Sequence, residues 1–183
     1  IPNSRLTEIQ SSNDFITSKT HNTSINSKLL IAADGKNGFV RKFVKTPIHL
    51  KDYKHKAFVV NLFHDMDHKK TAYELFFKTG PLAILPMKSN YTKKFCSSII
   101  WSDNSEYLNS LQNISNNLLK SIIEEKVQYY VGNVLEIIDK KVFSLSAHIN
   151  SSFYDKRLVY IGDAAHSIHP IAGQGWNVGV RDI

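Results

Sequence analysis

The sequence predicts an α/β fold in which a small nucleotide-site domain is interrupted by an inserted sheet, and three observations carry that prediction. Two short apolar runs, residues 29–33 and 158–161, each end on an acid beside a glycine: Asp34-Gly35 and Gly162-Asp163. The second run leads into a glycine loop, Gly173-Gln174-Gly175, at the start of a helical stretch. Between the two runs the pattern turns to strands and then to helices. An acid at the carboxyl edge of a strand can accept hydrogen bonds from ribose or polyol hydroxyls. Backbone N–H groups at a helix start favour negative charge. A ligand that satisfies both is nucleotide-like.

Each element has a local reason. Residues 11–27 are rich in Ser, Thr and Asn and predict loops around weak strands. The unbroken apolar run 29–33 predicts a strand buried on both faces of a sheet, ended by Asp34-Gly35. Phe39, Val40 and Phe43 then recur at helical spacing, predicting a short helix that carries Arg41. After Pro47, residues 57–63, 72–77, 82–85 and 95–101 predict strands of an antiparallel sheet, separated by Lys, Asp, Gly and Pro. From Asp103 onward, Leu108, Leu111, Ile114, Leu118, Ile122 and Ile123 follow three-four spacing and predict one or two helices. Residues 141–149 return as a strand before the last strand, loop and helix. The order implies an insertion: residues 1–46 begin the nucleotide domain, 47–152 form a sheet-based domain, and 153–183 return to the first.

Composition narrows the function classes. The 23 Lys and Arg outnumber 16 Asp and Glu, for a net charge of +7. The lysines are scattered, as at Lys51, Lys54 and Lys56, Lys69 and Lys70, or Lys140 and Lys141. Without a concentrated stripe, a solvated surface is favoured over a nucleic-acid footprint. A nucleic-acid-binding protein stays as a rival, to be tested by the salt dependence of binding. The lone Cys96 excludes an internal disulfide and reads as a small core residue. No apolar run approaches the roughly 20 residues of a membrane-spanning helix, so any membrane contact is expected to be peripheral.

Two histidine groups invite a metal reading. His64-Asp65-Met66-Asp67-His68 offers several ligands in one short stretch, but its place between predicted strands favours a solvated polar turn. His166 and His169 are followed by Pro170, which breaks the helix that would present them together. No metal site is expected. Arg181 and Asp182 read as surface or interdomain ion-pair residues, and Trp101 and Trp176 as core or domain-seam residues.

The wording of the last segment is more specific than its pattern. Gly162 to Asp182, with Gly162-Asp163-Ala164-Ala165-His166, then Pro170, Gly173-Gln174-Gly175, Asn177, Gly179 and Arg181-Asp182, resembles the second flavin-binding motif of FAD-dependent aromatic-ring monooxygenases, most closely the ubiquinone-biosynthesis hydroxylases. Leu29 through Gly35 with Arg41 is similar to the D-G-x-x-S-x-x-R motif of the same family, with Gly38 in place of its Ser. A looser match covers His68, Thr71-Ala72-Tyr73-Glu74 and Gly80-Pro81-Leu82-Ala83-Ile84-Leu85-Pro86.

That resemblance implies a partial FAD-binding Rossmann-like domain with an inserted mixed or antiparallel sheet that serves as the substrate domain. It implies FAD as cofactor, held by Asp34, Gly35, Arg41, Gly162, Asp163, Ala164, His166, Pro170, Gly173, Gln174, Gly175 and Asn177. Asp163 would bond the ribityl chain, and the backbone of Gly173, Gln174 and Gly175 would face the pyrimidine edge of the flavin. NAD(P)H or another reductant would supply electrons, and one oxygen atom of O₂ would pass to a polyprenyl phenol. No side chain is assigned as a catalytic acid or base. The resemblance also implies a ubiquinone-biosynthesis protein complex as partner, and a cytoplasmic protein, peripheral at the inner face of a membrane. No strand with a G-x-G-x-x-G turn precedes Asp34, so the chain reads as an internal fragment of such an enzyme, with weak FAD affinity by itself. Two alternatives stay open: a non-catalytic remnant, or one piece of a split flavoprotein whose separate N-terminal piece supplies that turn.

Overall fold

A computed structural model gives the fold and describes residues 1–89, 94–169 and 173–183. The chain divides into two compact units, residues 1–53 with 146–183, and residues 54–145.

In the second unit, alternation sets the sheet. Strand β5 (Ile48–His64) places Phe58, Val60 and Leu62 on one face, all fully buried. Strands β6 (Tyr73–Phe77), β7 (Gly80–Met87) and β8 (Phe95–Asn104) follow antiparallel, with Leu82 opposite Trp101 and Ile84 opposite Ile99. Strand β5 pairs with β8 in the same sense, Val60 facing Ile99. Helices α2 (Ser105–Asn113) and α3 (Asn116–Val131) then close over the apolar face. Asn104 and Ser115 cap them, their side-chain oxygens accepting from the N–H of Glu106 and Leu118. Helix α3 buries Leu119, Ile123, Val127 and Val131, one residue per turn. Each such side chain, fully buried, contributes roughly 1.5–3 kcal/mol before entropy is subtracted. Strand β9 (Val134–Asn150) adds Val134 and Ile137 to this core.

The expected three-four register is corrected here. Leu118, assigned inward by the sequence pattern, is 54% exposed, and Leu119 takes its place. The helical stretch breaks at Ile114 and Ser115, which resets its phase. The expected solvated turn at His64 is also corrected. Strand β5 runs on through His64, whose ring is fully buried with Nε2 at 2.9 Å from the Ser97 hydroxyl. Asp65 is held as well, accepting at 2.8 Å from both the backbone and the side-chain N–H of Asn133. Trp101 and Cys96 lie in the core as expected.

In the first unit, β1 (Leu6–Ser11), β2 (Ile16–Thr20) and β3 (Ser24–Ser27) form an antiparallel meander. The polar 11–27 stretch thus holds more strand than its composition suggests, anchored by buried Ile9 and Ile16. Strand β4 (Leu30–Ala32) and, after α1 (Phe39–Val44), the late strands β10 (Tyr154–Asp155) and β11 (Leu158–Tyr160) make a second sheet, ordered β10-β11-β4. Ala32, Val40, Leu158, Tyr160, Ala164 and Ala165 pack with Ile9 and Ile16 as its core. The prediction that residues 29–33 are buried on both faces fails at Leu29 and Ile31, which are 52% and 55% exposed. One face of β4 meets that core and the other meets no layer among the described residues. Strand β12 (His166–Ser167) pairs with the end of β9, and α4 (Gln174–Val180) follows.

Candidate functional site

The site begins with a parallel strand pair. Leu30, Ile31 and Ala32 of β4 lie opposite Leu158, Val159 and Tyr160 of β11, and the Ile161 N–H donates to the Ala32 carbonyl at 3.0 Å. Parallel pairing brings both carboxyl ends to one edge, so the two Gly-Asp turns, remote in sequence, become neighbours. Ala33, Gly35, Ile161, Gly162 and Asp163 from these turns, with Gly175, Trp176 and Gly179 from α4, line an open cleft of about 510 Å³.

The two acids have different surroundings. The Asp163 carboxylate is exposed in the cleft wall and accepts no hydrogen bond among the described residues, so it is available to ligand hydroxyls. The Asp34 carboxylate turns away from the cleft. Its Oδ2 accepts from the Val40 N–H at 2.9 Å and so caps α1. Gly38 makes room for this, because a Cβ there would collide with the Asp34 carboxylate. The side-chain oxygen absent at Gly38 is thus replaced from four residues upstream.

Arg41 is also turned inward, at 7% exposure. Its Nη2 donates to the Lys36 carbonyl and its Nη1 to Asn150 Oδ1 at 3.4 Å. Asn150, itself buried, donates from Nδ2 to the Ala164 carbonyl at 3.0 Å and from its backbone N–H to the Ala165 carbonyl at 2.9 Å. One chain of hydrogen bonds therefore ties the first turn to the second. Among the described residues no carboxylate lies within salt-bridge reach of Arg41.

A second clasp joins the Gly162 turn to the chain beyond α4. Asp182 Oδ2 accepts from the Gly162 N–H at 2.7 Å and lies 2.9 Å from His166 Nε2. Burial raises the Asp182 carboxyl, but the Gly162 N–H and His166 outweigh it and hold the group below its usual range. Gly179 permits the close approach, since a Cβ there would sit 3.3 Å from Gly162 Cα. The expectation that Asp182 is an ion-pair residue holds in its pairing with His166, and the structure adds a backbone clasp on the Gly162 N–H within this unit.

The structure thus brings Gly35, Gly162, Asp163 and Gly175 together in the cleft. Ala164 is buried in the core beneath it. Asp34, Arg41 and His166 face neighbouring protein groups, while Gly173, Gln174 and Asn177 are exposed along the start of α4, where Asn177 Nδ2 donates to Gln174 Oε1 at 3.2 Å. Pro170 lies outside the described residues. Asn150 carries no motif that marks it beforehand, and Asp182, although it closes the second motif, reads from sequence as an ion-pair residue alone; each of them holds a backbone atom that a sequence does not display.

Gly175 tests whether a flavin fits. It is helical, its φ is not one that demands glycine, and a Cβ there would meet nothing among the described residues within 4 Å. The protein's own packing therefore does not need a glycine at that point, whereas a planar ligand lying against the backbone would. With an unpartnered carboxylate in the same wall, the residues fit a cofactor that has both a flat ring and a hydroxylated chain.

A family model for the FAD binding domain matches residues 8–183. The chain is 31% identical to the ubiquinone hydroxylase UbiL of Rhodospirillum rubrum over 159 residues, covering 87% of this chain and 36% of that protein. It is 31% identical to the 3-demethoxyubiquinol 3-hydroxylase of Escherichia coli over 159 residues, covering 87% of this chain and 39% of the relative. The chain thus spans little more than a third of the length of these relatives. Its fold superposes on p-nitrophenol 4-monooxygenase PnpA of Pseudomonas putida with a TM-score of 0.73 at 18% identity, over 98% of this chain and 46% of that one. With the parallel pair, the two turns and the open cleft in place, the chain belongs to the FAD binding domain family, and FAD is the cofactor its fold is built to hold.

Proposed function

We propose that the chain supplies the ribityl and ring half of the FAD site in a monooxygenase that hydroxylates a polyprenylated phenol of ubiquinone biosynthesis. The observation that carries the flavin part is the free Asp163 carboxylate sharing one cleft wall with the bare backbone of Gly175. The substrate part is supported by the relatives, which are named as ubiquinone hydroxylases. Residues 47–152 are read as the substrate domain, with 1–46 and 153–183 as the cofactor domain.

In this reading Asp163 accepts hydrogen bonds from ribityl hydroxyls, while Gly35 and Gly162 keep the cleft floor free of side chains. The Arg41–Asn150 chain and the Asp182 clasp fix the two turns, so that little reorganisation accompanies binding. Bound FAD, reduced by NAD(P)H or another reductant, supplies the redox chemistry that places one atom of O₂ on an electron-rich ring. Among the described residues no helix is long and apolar enough to cross a membrane. The oily tail of such a substrate favours peripheral contact with a membrane surface or work within a ubiquinone-biosynthesis complex.

A flavin titration followed by fluorescence quenching tests the reading. FAD and riboflavin are expected to compete for one site, ADP to compete poorly, and Asp163→Ala to weaken both flavins by roughly tenfold, the worth of a charge-assisted hydrogen bond. Absence of saturable flavin binding, or FAD binding that ignores Asp163→Ala and yields to ADP, overturns it.

A further inference from the structure

Strand β6 ends its sheet, paired on one side to β7 alone. Which backbone groups it leaves open follows from a proline. Phe76 lies opposite Pro81, which has no N–H to exchange, so these two form a non-hydrogen-bonded pair. By the same alternation Phe77 and Gly80, flanking the two-residue turn, are a bonded pair, and Leu75 and Tyr73 bond to β7 as well. Glu74 and Phe76 therefore aim both N–H and C=O away from β7, where no backbone group of the described residues meets them. The strand itself, Tyr-Glu-Leu-Phe-Phe, holds no lysine, proline or bulge of the kind that blunts an open edge.

Aromatic surface borders this edge on both faces. Tyr73 and Leu75 pack toward the core, so alternation puts Phe76 on the other face, where it is 73% exposed. On the helix side Tyr129 of α3 is 87% exposed, its ring 5.1 Å from Tyr130, which in turn lies 4.8 Å from Tyr73. Two charges frame the strip. Glu74 stands near one end and Lys78, in the turn, at the other; both are exposed, and neither has an ion pair among the described residues.

We propose that β6 pairs antiparallel with β6 of a second copy of this chain, across a twofold axis at Leu75. In that register Glu74 faces Phe76 of the second copy, and by symmetry the reverse, so the outward N–H and C=O groups of both copies close four backbone hydrogen bonds. Leu75 meets Leu75, and Tyr73 meets Phe77, in the closer non-bonded pairs on the helix side. Glu74 comes diagonal to Lys78 of the second copy, within reach of a long side chain, whereas parallel pairing would set Glu74 beside Glu74. A shift by two residues either brings the acids face to face or runs the pair into the turn. The exposed rings of two copies amount to on the order of 800 Å² before the backbone is counted, the size of a weak, concentration-dependent dimer.

Sedimentation equilibrium of the purified chain over about 5–500 µM tests this. A monomer–dimer equilibrium with a Kd of roughly 10–100 µM is expected. Phe76→Pro removes an outward N–H and the exposed ring but no bond to β7, and is expected to weaken the dimer about tenfold or more. Glu74→Lys and Lys78→Glu each weaken it roughly fivefold, and the double variant, with opposite charges restored, returns to within about twofold of the parent. Circular dichroism reports the fold, and the charge variants, both at exposed side chains, decide if Phe76→Pro does not fold. A chain that stays monomeric to about 500 µM, open-ended assembly in place of a dimer, a dimer indifferent to Phe76→Pro or to the charge reversals, or no recovery in the double variant overturns the proposal. No arm of the experiment requires flavin, so its outcome is independent of the cofactor reading.

Discussion

The Asp34 carboxylate occupies the space that a side chain on Gly38 would need, and from there it caps the helix that Gly38 introduces. The two residues are thus one device. Gly38→Ala is expected to push the carboxylate off the Val40 N–H and cost about 1–2 kcal/mol, the worth of a lost cap. Gly38→Ser costs less, since its own hydroxyl can accept in the same place. Asp34→Ala costs about as much as Gly38→Ala, and the double variant little more than either, by urea unfolding.

Asn150 joins Arg41 to the Ala164 carbonyl inside the protein. Asn150→Ala leaves a buried guanidinium N–H and a carbonyl unsatisfied, and is expected to destabilise by roughly 2–3 kcal/mol. Asn150→Asp keeps the acceptor for Arg41 but sets a carboxylate against the Ala164 carbonyl, so it recovers only part of that loss. Denaturant midpoints measure both variants.

Asp163 and Asp182 separate binding from stability. Asp163 has no partner among the described residues, so Asp163→Ala is expected to leave the unfolding free energy within ~0.5 kcal/mol of the parent while flavin affinity drops. Asp182 holds the Gly162 N–H, so Asp182→Ala lowers both. Asp182→Asn retains an acceptor and falls between. Unfolding curves and flavin titrations on the same samples make the comparison.

Acid should weaken the fold before the carboxylates titrate. His64 and His148 are both held below the usual histidine range, chiefly by burial. In the unfolded chain they take up protons near pH 6.5. Their neutral, buried state therefore contributes its full stability above that value and loses it as pH falls toward their folded values. The urea midpoint is expected to be lower at about pH 5.5 than at about pH 7.5, and His64→Gln, which cannot titrate, to reduce the difference.

The strands, the inserted antiparallel sheet and the glycine turns were legible in the sequence because each has a local cause: alternation, a breaker, a bare backbone. The features that were not legible come from partners far along the chain. His64 reads as a turn residue until β8 brings Ser97 to it. Leu118 and Leu119 are equivalent until the break at Ser115 sets the phase of α3. Ile31 lies in an apolar run, yet only the packing shows that one face of β4 carries no neighbouring layer among the described residues. Asp34 is visible in the sequence as a turn residue, but which way its carboxylate points depends on the empty position at Gly38.

The pairing of β4 with β11 also imposes an order on synthesis. Residues 33–157 must leave the ribosome before Leu30 can meet Leu158, whereas the sheet of the insertion can already collapse on α2 and α3. Until then the edge of β4 waits without a mate, with Leu29 and Ile31 turned to water. A nascent chain paused just short of β11 carries a finished insertion and no cofactor cleft, and that short strand is where it is most open to wrong pairing.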